Sequence, residues 1–554
     1  MGDLYNDSYW AAVNPAVRRR LLLGSVGANH LLETGLRALE TDPQLGVELL
    51  FAAYAASPLD GNVARQLVNL EGLVPLFPAS VSACLRGVLE NWRMPDNLSY
   101  FLRISAKRDG AKIKSYIASC LEKEPGNLFW LQQGLIYAGA CSDFGFGVEL
   151  LCGEFPNEIL PAISAAKSFF CFKNGALQDS YDLLCAAAGS FGSGSFASLA
   201  ASVLLEQGSR DKAVEVLSGT VAEQPWRVSE TLRLYDLVRG LDLDREPFAG
   251  SLAILLYSFN KAQELDATLA SLHASDLHGA KIFMLDNGSG DDTARVIDRW
   301  QQVFGDGLVR IDLPVNIGAA AARNWLMNVP EVRACDFALY LDDDVEVQPD
   351  WLSRLGVAVK VYPDAGVWGC KVVDHSSPAV MQSVDLHIAQ PSRDEGDGPE
   401  VDLSKMSPNP FKVSDLHHQL LDAGYFDYMR PCASVTGCCH LFRTAKLLDN
   451  GGFSLFLSPS QYDDMEHDLR SCLKGEFGVY QGHLRVLHRK NTGAASRTDV
   501  VQEGNALGNK YKMQAMHPRS EILRIMADEE RLLQSDLEKK MQYLRDNGVV
   551  RGTK

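Results

Sequence analysis

From Ser251 the chain alternates between short apolar runs and amphipathic stretches, and this alternation restricts the fold more than any other feature of the sequence. SLAILLYS, KIFMLD, LVRIDL and FALYL are near-continuous apolar segments of strand length. Between them, KAQELDATLASLHAS, DDTARVIDRWQQVF and AAAARNWLMNV carry helical periodicity. Strands without polar alternation are buried on both faces, which predicts a mostly parallel sheet with helices on both sides. Such sheets bind ligands at the carboxyl ends of their strands. The residues standing there therefore decide what the chain does.

The first part of the chain has a different texture. From about residue 30 to 240, leucine- and alanine-rich amphipathic helices follow one another with hardly any β-branched alternation. NGALQDSYDLLCAAA, starting at Asn174, and EQGSRDKAVEVLSGT, starting at Glu206, look alike, and Gly139, Gly175 and Gly208 read as recurring turn glycines. The breaks SPLDGN, EPGN and EQPW carry Pro58, Pro125 and Pro225. A recurrence at about 34 residues resembles tetratricopeptide-type repeats; an irregular helical domain is the alternative. The last stretch, SEILRIMADEERLLQSDLEKKMQYLRDN, reads as a charged amphipathic helix or helix pair suited to packing or self-association. The expected division is a helical domain over 1–245, an α/β domain over 246–500 and a helical extension over 501–554. Within the α/β part, the polar and proline-rich segment 390–418 reads as a mobile excursion that could act as a lid.

Composition narrows the function classes. The net charge of −17 repels phosphate backbones and anionic lipid surfaces, so nucleic acid is not an expected partner. The twelve cysteines form no CxxC pair, which argues against zinc knuckles and disulfide frameworks. The N-terminus, MGDLYNDSYW, has acids where a secretory signal has a basic region, and no apolar run approaches the ~20 residues that span a bilayer. The expectation is a reduced, cytoplasmic protein without a transmembrane segment.

At the predicted strand ends stand polar residues. FALYL runs into Asp342, Asp343 and Asp344. In an extended segment residues two apart point the same way, so Asp342 and Asp344 converge while Asp343 points elsewhere. Two hard oxygen donors on one face suit Mg²⁺ or Mn²⁺ bridged to a diphosphate. The first strand ends in Ser258, Phe259 and Asn260, and the second in Asp286, Asn287 and Gly288, followed by Ser289, Asp291, Asp292 and Thr293. Asp286 is placed to accept from a pyrimidine ring nitrogen and Phe259 to cover a base, although Asx-Gly followed by acids is equally a turn and helix-cap signal. After the third strand, Gly318 precedes a helix carrying Arg323, a cation available to a phosphate.

Six segments in this order resemble a family 2 glycosyltransferase with a GT-A fold: the opening strand with its asparagine, DNGSGDDT, NIGAAAARN, LDDDVEVQPDW, VTGCCHLFRTAKLLDNGGF and YDDMEHDLRSCLKG with a histidine downstream. The resemblance covers about residues 250–490. It implies Asp286 on a uracil, Asp342 at the ribose or the metal's water, and Asp344 as direct metal ligand with His488 completing the shell, His483 being the less favoured histidine. In YDDMEHDLRSCLKG it places Asp464 as general base, with Asp463 or Glu466 as alternatives, and Arg470 and Gly475 on the later family positions. Tyr257 and Phe259 replace the family's usual proline and tyrosine, and the QxxRW motif of processive synthases is missing.

The implied function is a metal-dependent inverting transferase moving a sugar from a nucleotide-sugar, a UDP-sugar by preference, to an acceptor hydroxyl. The helical repeats then hold an acceptor protein or a partner. A lipid-linked or soluble glycan as acceptor is the rival reading, an inactive scaffold a further one, and homo-oligomerisation is compatible with either. GSFGSGS at 189–195 reads as a flexible interhelix loop rather than a phosphate loop, because no strand precedes it and no GK[ST] follows. Cys438 and Cys439 read as buried thiols.

Overall fold

A computed structural model describes residues 5–389, 411–489 and 500–550, with side chains from Tyr9 onward and, in the last segment, from Gly504 onward. The excursion expected over 390–418 lies outside the described residues from 390 to 410.

Fifteen α-helices run from Tyr5–Ala12 to Val228–Arg239 among the described residues. Their starts follow capping chemistry: Asp42 accepts from Leu45 N at 3.1 Å, Asp60 from Asn62 N at 2.7 Å, and Asn127 from Phe129 N at 3.1 Å. Neighbouring helices pair closely where glycine removes the side chain. A Cβ on Gly46 would lie 2.7 Å from the Leu39 backbone nitrogen, so Ala28–Ala38 and Pro43–Ala56 pack backbone to backbone. Gly175 and Gly208, at φ +81° and +74°, end Leu160–Lys173 and Ala197–Glu206 in the left-handed turns that glycine favours. Gly139 does not fit its reading as a turn glycine. It lies inside helix Leu128–Ala140, and a Cβ there would meet Leu421 Cδ1 at 2.3 Å, so it makes room for a loop of the α/β region.

The strands are β1 (Leu252–Ser258), β2 (Lys281–Asp286), β3 (Leu308–Asp312), β4 (Phe337–Leu341), β5 (Val345–Glu346), β6 (Val367–Asp374), β7 (Met381–Ser383), β8 (Ile388–Ala389), β9 (Lys412–Val413), β10 (Met429–Cys432), β11 (Cys439–Arg443) and β12 (Gly478–His488). The main sheet runs β10-β12-β6-β11-β4-β1-β2-β3, with β5 on β12 and β7 on β6. The segments first read as apolar strands, β1 to β4, are parallel to their neighbours in that set. The sheet as a whole is mixed, because β11 enters antiparallel between β4 and β6. Parallel register aligns the strand ends, with Ser258 beside Asp286 and Asp286 beside Asp312. Helix Ala262–His273 follows β1, and Thr293–Phe304 follows β2.

Alternation along β1 feeds two cores. Leu252, Ile254 and Leu256 pack on one face with Met284, Leu339 and Trp351. Ala253 and Leu255 join a cluster on the other face that continues through the helical region, from Trp10 to Leu237, and into the last helix at Leu533 and Leu544. The tail folds as the helix pair Val500–Met516 and Arg519–Asp546, and its second member packs Tyr543 edge-on against Tyr235, 5.3 Å between ring centres. Asp236 ties the halves together: its Oδ2 accepts from Met429 N at 2.6 Å and lies 2.8 Å from His483 Nε2. Among the described residues no helix is long and apolar enough to cross a membrane.

Candidate active site

The site lies where β1, β2, β4 and β12 end. Asp342 follows β4 and is half-buried; its backbone nitrogen donates to Cys438 O at 3.2 Å. Asp343 and Asp344 are buried, and one ammonium serves both: Lys261 Nζ lies 2.9 Å from Asp343 Oδ1 and 2.8 Å from Asp344 Oδ2. The other oxygen of Asp344 lies 3.1 Å from His488 Nε2, while His488 Nδ1 lies 2.6 Å from Gln382 Oε1. Burial pushes the Asp343 carboxyl up against the pull of Lys261. Burial acts on Asp344 in the same direction, but the hydrogen bond from His488 and the charge of Lys261 overcome it and hold that carboxyl well below the usual range. His488 is raised despite its burial, through Cys438 and Asp344 beside it.

Asp342, Cys438 and His488 each offer a donor atom within 4.8 Å of the others. One carboxylate, an imidazole and a thiol thus surround one point at the end of β4; Asp344 meets the same imidazole but converges with Asp343 on Lys261 rather than with Asp342, contrary to the alternation expected for an extended segment. Hard oxygen donors with a neutral imidazole match the chemistry of Mn²⁺.

The loops after β1 and β2 clasp each other. Asn260, held at φ +54°, accepts from Gly290 N at 2.7 Å, and its own nitrogen donates to Ser289 Oγ at 3.1 Å. Asp286 Oδ1 accepts from Ser289 N at 2.9 Å. Asn287 Oδ1 accepts from Ile317 N and its amide donates to Asn316, both at 3.0 Å, fixing the turn before Gly318. Asp291 accepts from Ala262 N at 3.1 Å and Thr293 N at 3.0 Å, so its role is to cap two helices. Ser258 is buried with its hydroxyl toward Asp343, whereas Phe259 presents its ring to solvent at 41% exposure.

Arg323 is buried in a cage. Its Nη1 donates to Asp463 Oδ2 at 2.9 Å, and its Nη2 lies 3.8 Å from Asp342 Oδ1. The guanidinium carbon sits 5.3 to 5.9 Å from the rings of Phe453, Tyr257 and Tyr340. Tyr462 at φ +68° opens helix Asp463–Leu473, in which Asp463 is buried and Asp464 half-buried. Asp464 Oδ2 accepts from Gly437 N at 2.7 Å. Gly437 leaves room for both side chains: a Cβ there would stand 2.5 Å from Arg323 Nη2 and 2.8 Å from Asp464 Oδ2. Glu466 pairs instead with Arg470 at 2.8 Å. His483 is turned away to Asp236, and Gly475, at φ +83°, only closes the turn after the helix.

Residues 253–415 match the model of Glycosyl transferase family 2. This chain carries a family 2 glycosyltransferase domain. No curated protein matches the sequence. Solved structures similar to it include TarS of S. aureus, 18% identical over 42% of this chain and 35% of that one, TM-score 0.29. The mannosyltransferase PcManGT of Pyrobaculum calidifontis, solved with GDP-Man and Mn²⁺, is 14% identical over 61% of this chain and 88% of that one, TM-score 0.35. GalNAc-T7, solved with UDP, GalNAc and Mn²⁺, is 11% identical over 48% of each chain, TM-score 0.33. The chain thus spans about a third of TarS and half of GalNAc-T7.

In the transferase domain the structure adds residues that the motifs did not mark. Lys261 directly follows Asn260, three positions past the end of β1, and a basic residue so near a strand end facing three acids was the available signal. Cys438 is a buried thiol, as read from the sequence, but it stands beside the imidazole of His488, 3.9 Å from Nδ1. Tyr257, Tyr340 and Phe453 come from three separate segments, and no local pattern joins them around Arg323.

Proposed function

We propose that this protein is a metal-dependent inverting glycosyltransferase that uses a UDP-sugar. The observation that carries the reading is the pairing of Asp344 with His488 at the sheet edge, with Asp342 and Cys438 beside them. Asp342, Asp344 and His488 would hold Mn²⁺ or Mg²⁺, which supplies Lewis-acid neutralisation of charge on the departing diphosphate. Lys261 keeps the two buried carboxylates compatible until then.

In this reading Phe259 covers the base, and the free oxygen of Asp286 accepts from the uracil ring nitrogen. Ser258, Asn260, Asn287 and Gly318 shape the turns that form the nucleotide seat, and Asp343 anchors Lys261. Arg323 holds Asp463 and lies near Asp342. Asp463 is therefore committed to a cation, and Asp464, half-buried and oriented by the Gly437 amide, is the carboxylate left to take the proton from the acceptor hydroxyl. Such a base contributes roughly 10²–10⁴-fold. Attack from the side opposite the diphosphate inverts the anomeric centre. The helical repeats present a protein acceptor, and unpaired thiols suit a reducing, cytoplasmic setting.

The test is thermal stabilisation by UDP with Mn²⁺, compared with the Asp344→Ala protein. Stabilisation that needs both UDP and the ion and is lost in the variant supports the reading. A response to no nucleotide in either protein refutes it.

A further inference from the structure

A second cavity, of about 330 Å³, lies on the seam between the helical region and the sheet, away from the strand ends that carry the aspartates. The helical region contributes Lys173 and Arg233, strands β6 and β12 contribute Lys371 and Arg485, and helix Trp351–Val361 contributes Arg354. Five cations around one small space is unusual in a chain of net charge −17.

Four acids, Glu206, Asp242, Asp422 and Asp427, share the lining with them but are unevenly placed. Lys371, fully buried on β6, takes both Asp422, at 3.1 Å, and Asp427. Asp242 is held by Arg210, a residue outside the lining, at 2.7 Å. Glu206 is exposed. Arg354 is tied to Asp350 at 3.0 Å. Two cations, Lys173 and Arg485, are left outside these pairs, and a third is paired only at long range. Arg233 is buried; its Nη1 and Nη2 donate to Ser198 O and Ser202 Oγ at 2.7 and 2.8 Å, Asp427 lies 3.8 Å away, and its Nε has no hydrogen-bond partner. Lys173 rests over the Phe172 ring at 4.9 Å without an ion pair among the described residues, and burial lowers its pKa. Arg485 is exposed on β12, also without a hydrogen bond or ion pair among the described residues. The space is built by the strand itself: β12 bulges between Gln481 and Arg485, and Gly482 lets the chain pass within 2.1 Å, measured to a hypothetical Cβ, of Phe426 O.

We infer that this cavity is a binding site for a small phosphate-bearing anion, held by Lys173, Arg233 and Arg485 across the seam between the two regions. A cavity of this volume is at the small end of ligand sites. Arginine forks and a lysine point charge are the donors that phosphate oxygens favour. The inference does not depend on the glycosyltransferase reading, because none of the three cations belongs to the proposed catalytic or metal-binding set.

The test is isothermal titration of inorganic pyrophosphate into the full-length protein in EDTA, so that no metal-dependent nucleotide site contributes. The expected result is one binding event, weakened tenfold or more in Arg485→Gln and in Lys173→Gln and unchanged in Asp344→Asn. Arg485 is exposed, so its variant separates loss of binding from loss of folding. Absence of binding to the wild-type protein overturns the inference. So does binding that both glutamine variants retain, or binding that Asp344→Asn abolishes. Citrate binding as tightly as pyrophosphate overturns the phosphate assignment.

Discussion

Replacing Arg323 by methionine keeps the length of the side chain and removes its charge. Asp463 is then left buried with no cation, because the guanidinium at 2.9 Å is its one ion-pair partner among the described residues. Removing one partner of a buried pair costs about 3–5 kcal/mol, set against a total stability of about 5–15 kcal/mol. The loss depends on pH in a definite direction. Burial already raises the Asp463 carboxyl, with Arg323 pulling it down, so without the arginine it rises further. An acid whose pKa is higher folded than unfolded binds more protons in the folded state, so its contribution is full in acid and is lost as pH rises through the folded value. The gap between wild type and Arg323→Met should therefore be small near pH 5 and approach the full 3–5 kcal/mol by pH 8. Urea unfolding followed by tryptophan fluorescence across that range measures it. The double variant Arg323→Met/Asp463→Leu, with no charge left to strand, should regain much of the loss at pH 8. A single-variant loss under about 1 kcal/mol at pH 8, a gap independent of pH, or a double variant no more stable than the single one would refute the reasoning.

Three more perturbations bear on the site. Gly437→Ala puts a methyl between Arg323 and Asp464, an overpacking of about 1–3 kcal/mol. Transfer should fall further than stability does, and unchanged turnover in a nucleotide-sugar hydrolysis assay would show that the glycine merely fits. Asp464→Asn keeps the shape and the Gly437 contact, so UDP affinity by calorimetry should hold while kcat drops by about 10²–10⁴-fold; a parallel loss of UDP affinity would make it a binding residue. Lys261→Met leaves Asp343 and Asp344 without their shared ammonium. Its melting temperature without metal should fall and its gain from added Mn²⁺ should exceed the wild-type gain; equal gains would mean that the lysine does not compete with the ion.

The parallel strands and the acids at their ends were legible because both are local: an apolar run shows a buried strand, and the residue after it sits at the sheet edge. Pairings across the fold were less legible. Arg323 reads from the sequence as a free cation for phosphate, yet the structure surrounds it with Tyr257, Tyr340 and Phe453 and joins it to Asp463. Each ring reads as ordinary core in its own segment, and only the closing of β1 on β4 and the return of the 453–463 stretch bring them together. The cations of the seam were hidden for the same reason, since Lys173, Arg233 and Arg485 lie on two helices and a strand far apart in the chain. Polar partners separated by hundreds of residues leave no periodic signal, whereas an apolar stripe does.

The seam also changes what the helical region can be. An independent solenoid buries its stripes within and between its own repeats. Here the apolar cluster runs without a break from Trp10 through the helices into one face of the sheet and the final helix. Buried polar ties cross the same boundary: Asp236 holds the Met429 backbone, Arg430 donates to Leu22 O at 2.6 Å, and Ser202 donates to Ala423 O at 2.7 Å. Cutting the chain near residue 245 would expose that face, leave the Met429 amide and His483 without Asp236 and take the Leu22 carbonyl from Arg430, each buried unsatisfied group costing about 1–3 kcal/mol or more. A fragment starting at Ser251 should therefore aggregate where the full chain stays monodisperse by light scattering. Were the fragment monodisperse and equally stable, the helices would be an appended module, and the shared core would count for little.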